Sequence, residues 1–310
     1  MYSLQQIRTG LAWGLESPSL LLREANRVYY RRRYGPGFYR PGVDVIREDW
    51  DTLVILDACR YDVFRGENAI PGTLESRTSR GSHTSEFLRG NFDGRALHDT
   101  VYTTASPQLE SRRDEISVEF HAVNNVWETD RWDDQEGTVT PSKMTEAAVT
   151  AHEQYPEKRH IVHYIQPHYP FIGSDVDDST RGINEQTEST YDVWEERIRD
   201  RIDATTEQLW SAYTRNLNLA LDEVEKLCGA IDGRTVVSSD HGNMVGERAS
   251  PIPIREWGHP YGIYTKQLLK VPWLVHESGQ RRSITAEEPT AVRDSDETEI
   301  KDRLEDLGYV

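Results

Sequence analysis

Cysteine is close to absent: Cys59 and Cys228 are the two thiols in 310 residues. Two isolated cysteines give neither a disulfide framework nor zinc-finger spacing, and they fit a reducing compartment. No run of about 18 apolar residues occurs, which excludes an ordinary membrane-spanning helix. The first residues lack the charged start, apolar block and small-residue cleavage site of a secretory signal, so a cytoplasmic chain is expected. Lysine is scarce too, and arginine supplies most of the 36 basic residues against 53 acidic ones. A formal net charge of −17 argues against nucleic acid as a partner. The acidity is spread along the chain, a solvated surface suited to a salt-rich, halophilic cytoplasm where screening relieves self-repulsion.

What is present falls into three stretches. Residues 1–48 form a basic amphipathic arm. Leu4, Ile7, Leu11 and Leu15, then Leu20, Leu21, Leu22, Val28 and Tyr29, suit two short helices. Ser17–Pro18 lies between them as a cap and first-turn proline. The Arg31–Arg33 run followed by YGPGFYRPG reads as a turn-rich linker. Such an arm suits peripheral contact with an anionic membrane surface or glycolipid, although docking on its own acidic domain is the favoured reading. Residues 49–276 form the body, and 277–310 an acidic tail with a short helix near Glu299–Leu307.

In the body, Leu53–Leu56 is a continuous apolar run, as expected of a central parallel strand buried on both faces, and it ends on Asp57. The polar stretch Leu74–Gly90 (LESRTSRGSHTSEFLRG) carries the hydroxyls Thr78, Ser79, Ser82, Thr84 and Ser85 into a helix around Glu86–Arg89. A helix start can hold an anion, and a hydroxyl there is a candidate nucleophile if a metal lowers its pKa. Val101–Thr104, Phe120–Val123 and Ile161–Ile165 read as strands, and Pro141–Tyr155 and Val193–Cys228 as helices. His168 leaves its strand between prolines, which fixes its backbone, whereas His163 lies inside the strand and reads as structural. Ser174–Ser189 is a polar insertion without periodicity. Thr235–Ser239 is a strand ending in Asp240–His241–Gly242, and a long loop after it carries His259. Strands alternating with helices predict a mostly parallel α/β sheet, whose ligands bind beyond the carboxyl ends of the strands. A carboxylate and an imidazole at such an end are candidate ligands for a divalent metal; a helix cap beside a surface histidine is the plainer alternative.

Five segments, LVILDACRYD, SRGSHTSEFLRG, HYIQPHYPF, SSDHG and GHPYGIYTKQLLKVPWLV, stand in the order used by one known group. On them, about Trp50 to Val275 resembles the alkaline phosphatase superfamily, on its sulfatase-like branch, and in particular the acidic sulfatase-like proteins of halophilic archaea. The resemblance implies an α/β/α sandwich with a mostly parallel sheet and metal-assisted transfer of a phosphoryl or sulfuryl group. It places Asp57, Ser79, Asp240 and His241 at one divalent metal (Zn, Mn or Ca). Ser79, with Thr78 in reserve, falls at the nucleophile position of a Thr-x-Pro-Ser-His-x-Ser segment. His168 and His259 would bind the substrate's peripheral oxygens or protonate the leaving group. Two departures stand out: Ala58 replaces a second acidic residue, and Cys59 is followed by Arg60–Tyr61–Asp62, outside the formylglycine frame. A single-metal hydrolase or transferase of a phosphate or sulfate ester, such as a glycan or glycolipid precursor, is therefore expected. The alternative is an inactive relative that binds anionic saccharides or a partner. A cofactor-independent phosphoglycerate mutase would need a second metal cluster and an inserted domain, for which the sequence has no sign.

Overall fold

The apolar run of the first strand forms the centre of the molecule. The structure, a computed structural model, describes residues 18–174, 176, 193–198, 202–290 and 295–309. Strand β1 (Thr52–Leu56) is buried along its whole length. It pairs in parallel with β7 (Arg159–Tyr164) on one side and β8 (Gly233–Ser238) on the other. Beyond β7 lie β3 (Arg95–Thr104) and β4 (Val118–Asn125), also parallel. Beyond β8 lie β11 (Lys270–Ser278), which runs antiparallel to both its neighbours, and β2 (Thr73–Thr78) at the edge. The order in this seven-stranded sheet is β2-β11-β8-β1-β7-β3-β4.

Alternate residues of one strand face opposite sides of a sheet. Val54, Leu56, Val162, Tyr164 and Val237 join one core with α4 (Pro141–Gln154) and α6 (Thr206–Ala230), through Met144, Ala148, Leu217 and Val224. Leu53, Ile55, Ile161 and Val236 join the other core with Phe87, Leu88 and Phe92 of α3 (Thr84–Phe92). Helices therefore cover both faces of a mostly parallel sheet, the expected α/β/α sandwich.

The remaining elements are α1 (Pro18–Tyr34), α2 (Tyr61–Glu67), α5 (Val193–Ile198), α7 (Lys266–Leu269) and α8 (Glu297–Asp306), with the hairpins β5 (Trp132–Asp133)–β6 (Thr138–Val139) and β9 (Met244–Arg248)–β10 (Arg255–Gly258). Several differ from the sequence reading. Arg31–Arg33 are the last turn of α1 rather than linker, where cations face the negative end of the helix. The stretch before the hydroxyl cluster is the edge strand β2, whose polar residues suit a strand paired on one side only. The loop after Gly242 contains the β9–β10 hairpin. The first arm helix (residues 4–15) and most of the polar insertion at 174–189 lie outside the described residues.

Among the described residues, both flanks dock on the body. In α1, Arg23, Asn26 and Tyr30 form the inward face: Arg23 pairs with Glu256 at 2.6 Å, and the Asn26 amide donates to the Ile252 carbonyl at 2.9 Å. Tyr30 packs with Met244, Ile263 and Tyr264. In the tail, the Thr285, Glu287 and Thr290 N–H groups donate to Glu157, His98 and His121 carbonyls at 2.9, 3.1 and 2.7 Å, while Leu304 and Leu307 are buried.

Candidate metal centre

Three adjacent parallel strands, β8, β1 and β7, deliver the centre. Val236, Ile55 and Ile161 face α3, and Asp240, Asp57 and His163 continue that alternation at or beyond the strand ends. All three are fully buried. One ligand atom from each lies within 4.8 Å of the other two.

The turn after β1 aims Asp57. Ala58 adopts φ +60°, a left-handed conformation that non-glycine residues avoid and that tends to persist where surrounding bonds enforce it. Its N–H donates to Asp240 Oδ1 at 3.1 Å, and its carbonyl accepts from the Tyr213 hydroxyl at 2.7 Å. The Cys59 N–H donates to Ser239 Oγ at 2.9 Å. Asp240 Oδ1 also accepts from the His241 N–H at 2.8 Å. Gly242 completes the turn because its backbone lies against α7, where a Cβ would overlap the Gln267 carbonyl.

These bonds leave Asp57 Oδ1, Asp240 Oδ2 and His163 Nε2 buried without a hydrogen-bond partner. Burial of such atoms is costly unless something else meets them. His241 Nε2 lies beside this group, 3.3 Å from Asp240 Oδ2 and 3.6 Å from Asp57 Oδ1. The second ring nitrogens are anchored: His241 Nδ1–H donates to the Gly242 carbonyl at 2.8 Å, and His163 Nδ1 lies 2.8 Å from the Tyr102 hydroxyl. Anchoring Nδ1 in this way turns the Nε2 lone pair toward a cation. Two carboxylates and imidazole nitrogens suit Zn or Mn better than Ca, which prefers oxygen alone. The electrostatics agree with the donor set. Burial and the neighbouring Asp240 push the Asp57 carboxyl well up, and burial pushes His163 down to about 4. Both shifts express the cost of charging one group at a time in a dry site.

Thr84 is the hydroxyl at this centre. It opens α3, and its Oγ1 lies 3.3 Å from both Asp57 Oδ2 and His241 Nε2. Ser79, the expected nucleophile and fourth ligand, turns elsewhere: its hydroxyl donates to the Asp240 main-chain carbonyl and accepts from the Gly81 N–H. Thr78, its reserve, ends β2. His168 and His259 come together, Nε2 to Nε2, at 3.3 Å. His168 Nδ1–H donates to the Tyr169 carbonyl at 2.5 Å, so His259 supplies the proton between the two rings. His259 stacks on His241 with centroids 4.7 Å apart, and His83, the N-cap of α3, is 5.3 Å from His259. Burial drives His83, His168 and His259 down in pKa, His168 to about 4.

The structure thus gathers Asp57, Asp240, His241, His168 and His259, and adds His163, Thr84 and Tyr309, to which sequence reasoning assigned no role of their own. Tyr309 Oη donates to Asp57 Oδ2 at 2.6 Å. The signal for His163 was an ionisable residue in an apolar strand, on the same face as Ile161 and close to the exit. The signal for Thr84 was its place as the first residue of α3. Tyr309 had none.

No family model matches the chain, and no curated protein matches it. Solved structures with a similar trace include the C-terminal periplasmic domain of EptC from Escherichia coli in complex with Zn, at 13% identity and TM-score 0.44, covering 76% of this chain and 75% of that one. The corresponding domain of the phosphoethanolamine transferase EptC from Campylobacter jejuni gives 13% identity and TM-score 0.41, covering 73% and 78%. The integral membrane lipooligosaccharide phosphoethanolamine transferase EptA from Neisseria meningitidis gives 12% and 0.43, and the match spans 72% of this chain but 47% of that one. At these values the likeness says nothing about the residues of the site.

Proposed function

We propose that the chain is a metal-dependent transferase or hydrolase of a phosphate or sulfate ester, with Thr84 as nucleophile. One observation carries this reading: unpartnered, buried ligand atoms of Asp57, His163 and Asp240 converge beside a hydroxyl 3.3 Å from Asp57 and His241. Asp57, His163 and Asp240, with His241 beside them, would hold a divalent cation, which would supply Lewis acidity to the Thr84 hydroxyl and the transferring group. Thr84 passes its hydroxyl proton to Asp57 Oδ2 and its Oγ1 forms the new bond to phosphorus or sulfur, while the ester oxygen departs with a proton from the His168–His259 pair. Water or an acceptor hydroxyl then resolves the covalent intermediate. His168 and His259 hold the peripheral oxygens or donate the leaving-group proton once their Nε2–Nε2 hydrogen bond opens and the pair has taken up a proton. Ser79 positions the Asp240 main chain.

Thr84→Ala and Ser79→Ala, assayed on aryl phosphates, phosphodiesters and sulfates with bound metal measured in each, test this assignment. Thr84→Ala is expected to abolish turnover and retain metal, and Ser79→Ala to leave measurable turnover. The reverse pattern would return the nucleophile to Ser79. One observation favours the inactive alternative: Asp57, Thr84, Asp240 and His241 have no exposed surface. Metal-loaded protein without turnover on any of these esters would support it.

We also propose that α1 meets an anionic membrane or glycolipid surface. Leu21, Leu22, Val28 and Tyr29 are exposed, and Arg31–Arg33 close the helix. Absence of co-sedimentation with anionic vesicles at low salt would remove this proposal.

A further inference from the structure

Tyr309 lies in the tail, outside the segments that carry the family resemblance, yet it reaches the centre. The segment is placed from α8: Leu307 is fully buried in the core that contains α4 and α6, Gly308 turns at φ +72°, and the Tyr309 N–H returns to the Leu304 carbonyl at 2.9 Å. The phenol then donates to Asp57 Oδ2 at 2.6 Å and lies 3.5 Å from Thr84 Oγ1. Its ring stacks on His168 at 4.8 Å and 21°, and stands edge-on to His83 and His259 at 5.9 and 6.2 Å. One side chain thus touches the cation-side carboxylate, the hydroxyl and the histidines assigned to the substrate's oxygens.

A group in transfer must bond Thr84 Oγ1 while its other oxygens reach His168 and His259, so it needs the volume that the phenol fills. Thr84 and Asp57 have no exposed surface, whereas Tyr309, in contact with both, is only partly buried. We infer that Tyr309 is an intramolecular occupant of the transfer site, and that Leu307–Tyr309 must withdraw before an anionic ester can reach Thr84. The inference rests on the transfer-site reading proposed above and adds a built-in competitor to it. An occupant that leaves only a fraction of the time weakens apparent ligand affinity by that fraction.

The test uses full-length chain loaded with Zn²⁺, metal content measured, and inorganic phosphate titrated by calorimetry into wild type, Tyr309→Phe and Tyr309→Ala. Phosphate is expected to bind Tyr309→Ala about tenfold or more tighter than wild type, with Tyr309→Phe between them because it keeps the stacked ring and loses the hydroxyl. In wild type, saturating phosphate is expected to speed amide exchange at 307–309, whose N–H groups bond to Arg303, Glu305 and Leu304 carbonyls, a readout that needs no variant. Equal or weaker phosphate binding by Tyr309→Ala at equal metal content would overturn the inference and make Tyr309 part of the binding wall. Unchanged exchange at saturation would overturn it as well. If no version takes up metal, the transfer-site reading itself falls and this inference with it.

Discussion

Strand β7 carries two histidines three positions apart that end in contrasting surroundings. His160, at the amino end of the sheet, stacks on His152 with centroids 3.8 Å apart and planes at 18°. His152 is satisfied on both nitrogens, donating from Nδ1 to the Ala148 carbonyl at 2.7 Å and meeting Thr52 Oγ1 at 2.9 Å through Nε2. His160 Nε2 donates to the Tyr155 carbonyl at 2.9 Å. His163, near the carboxyl end, faces two carboxylates with an unpartnered Nε2. Burial does not separate the two places, and neither does titration, since His152 and His163 are both pushed down to about 4 and His160 to about 2. One orphaned atom does not separate them either, because His160 Nδ1 is also unpartnered. What distinguishes a candidate metal centre is convergence: several unsatisfied ligand atoms of opposite chemistry aimed at one point.

The sharpest way to break this contrast is Asp57→Asn. The several kcal/mol of charge stabilisation attributed to a bound cation correspond to a loss of turnover of about 10³-fold or more. Metal content is expected to fall with it. In metal-free protein the same change is expected to stabilise the fold, because it removes one of two buried carboxylates that carry unpartnered oxygens. His152→Gln, in contrast, should leave turnover and metal content near wild type. Equal metal loss in both variants would show that the two histidine sites had been wrongly separated.

The amino-end pair should announce itself through pH. His152 and His160 stay neutral in the folded chain, pushed down by burial, with Arg282 as a further cause for both and His152 for His160, while the unfolded chain protonates them near 6.5. Their contribution to stability is therefore complete above that pH and is lost as the pH falls toward about 4 for His152 and about 2 for His160. For His152 alone, linkage gives a loss of about 2 kcal/mol between pH 7 and 5. Urea unfolding at both pH values should show it, with a shallower slope in His152→Gln. An unchanged slope would mean that His152 carries no such load.

Reading order explains what was legible in the sequence. The Leu53–Leu56 run and its Asp57 exit announced themselves because a two-sided buried strand needs unbroken apolar residues. Asp240–His241 stood out for the same reason, as polar residues stopping such a strand. His163 did not, since facing inward from a strand is also what a satisfied core histidine does, and only register across β8, β1 and β7 places it beside two carboxylates. Ser79 and Thr84 share one hydroxyl-rich stretch, and which of them meets Asp57 depends on where α3 begins, a matter of one turn that composition does not fix. Tyr309 is a long-range docking event, and no local pattern encodes it. The hairpin after Gly242 was hidden because its strands are short and Gly246, at φ +88°, interrupts the first.

Backbone strain offers the finest test of the contrast between the two ends. Ala58 is the one non-glycine residue at positive φ among the described residues, and it lies at the carboxyl end beside Asp57. A left-handed alanine costs roughly 1–2 kcal/mol, and glycine would recover this less the roughly 0.5–1 kcal/mol of extra chain entropy it loses on folding. Ala58→Gly is thus expected to stabilise the protein by no more than about 1.5 kcal/mol. The bonds to Asp240 and Tyr213 hold the turn from outside the residue, so metal affinity should stay within about twofold of wild type. Ala58→Val forces a β-branched side chain into the same conformation and should lower both stability and metal affinity. If the glycine variant gains stability but loses metal, the strain itself aims Asp57; if it changes neither, the hydrogen bonds alone set the geometry of the centre.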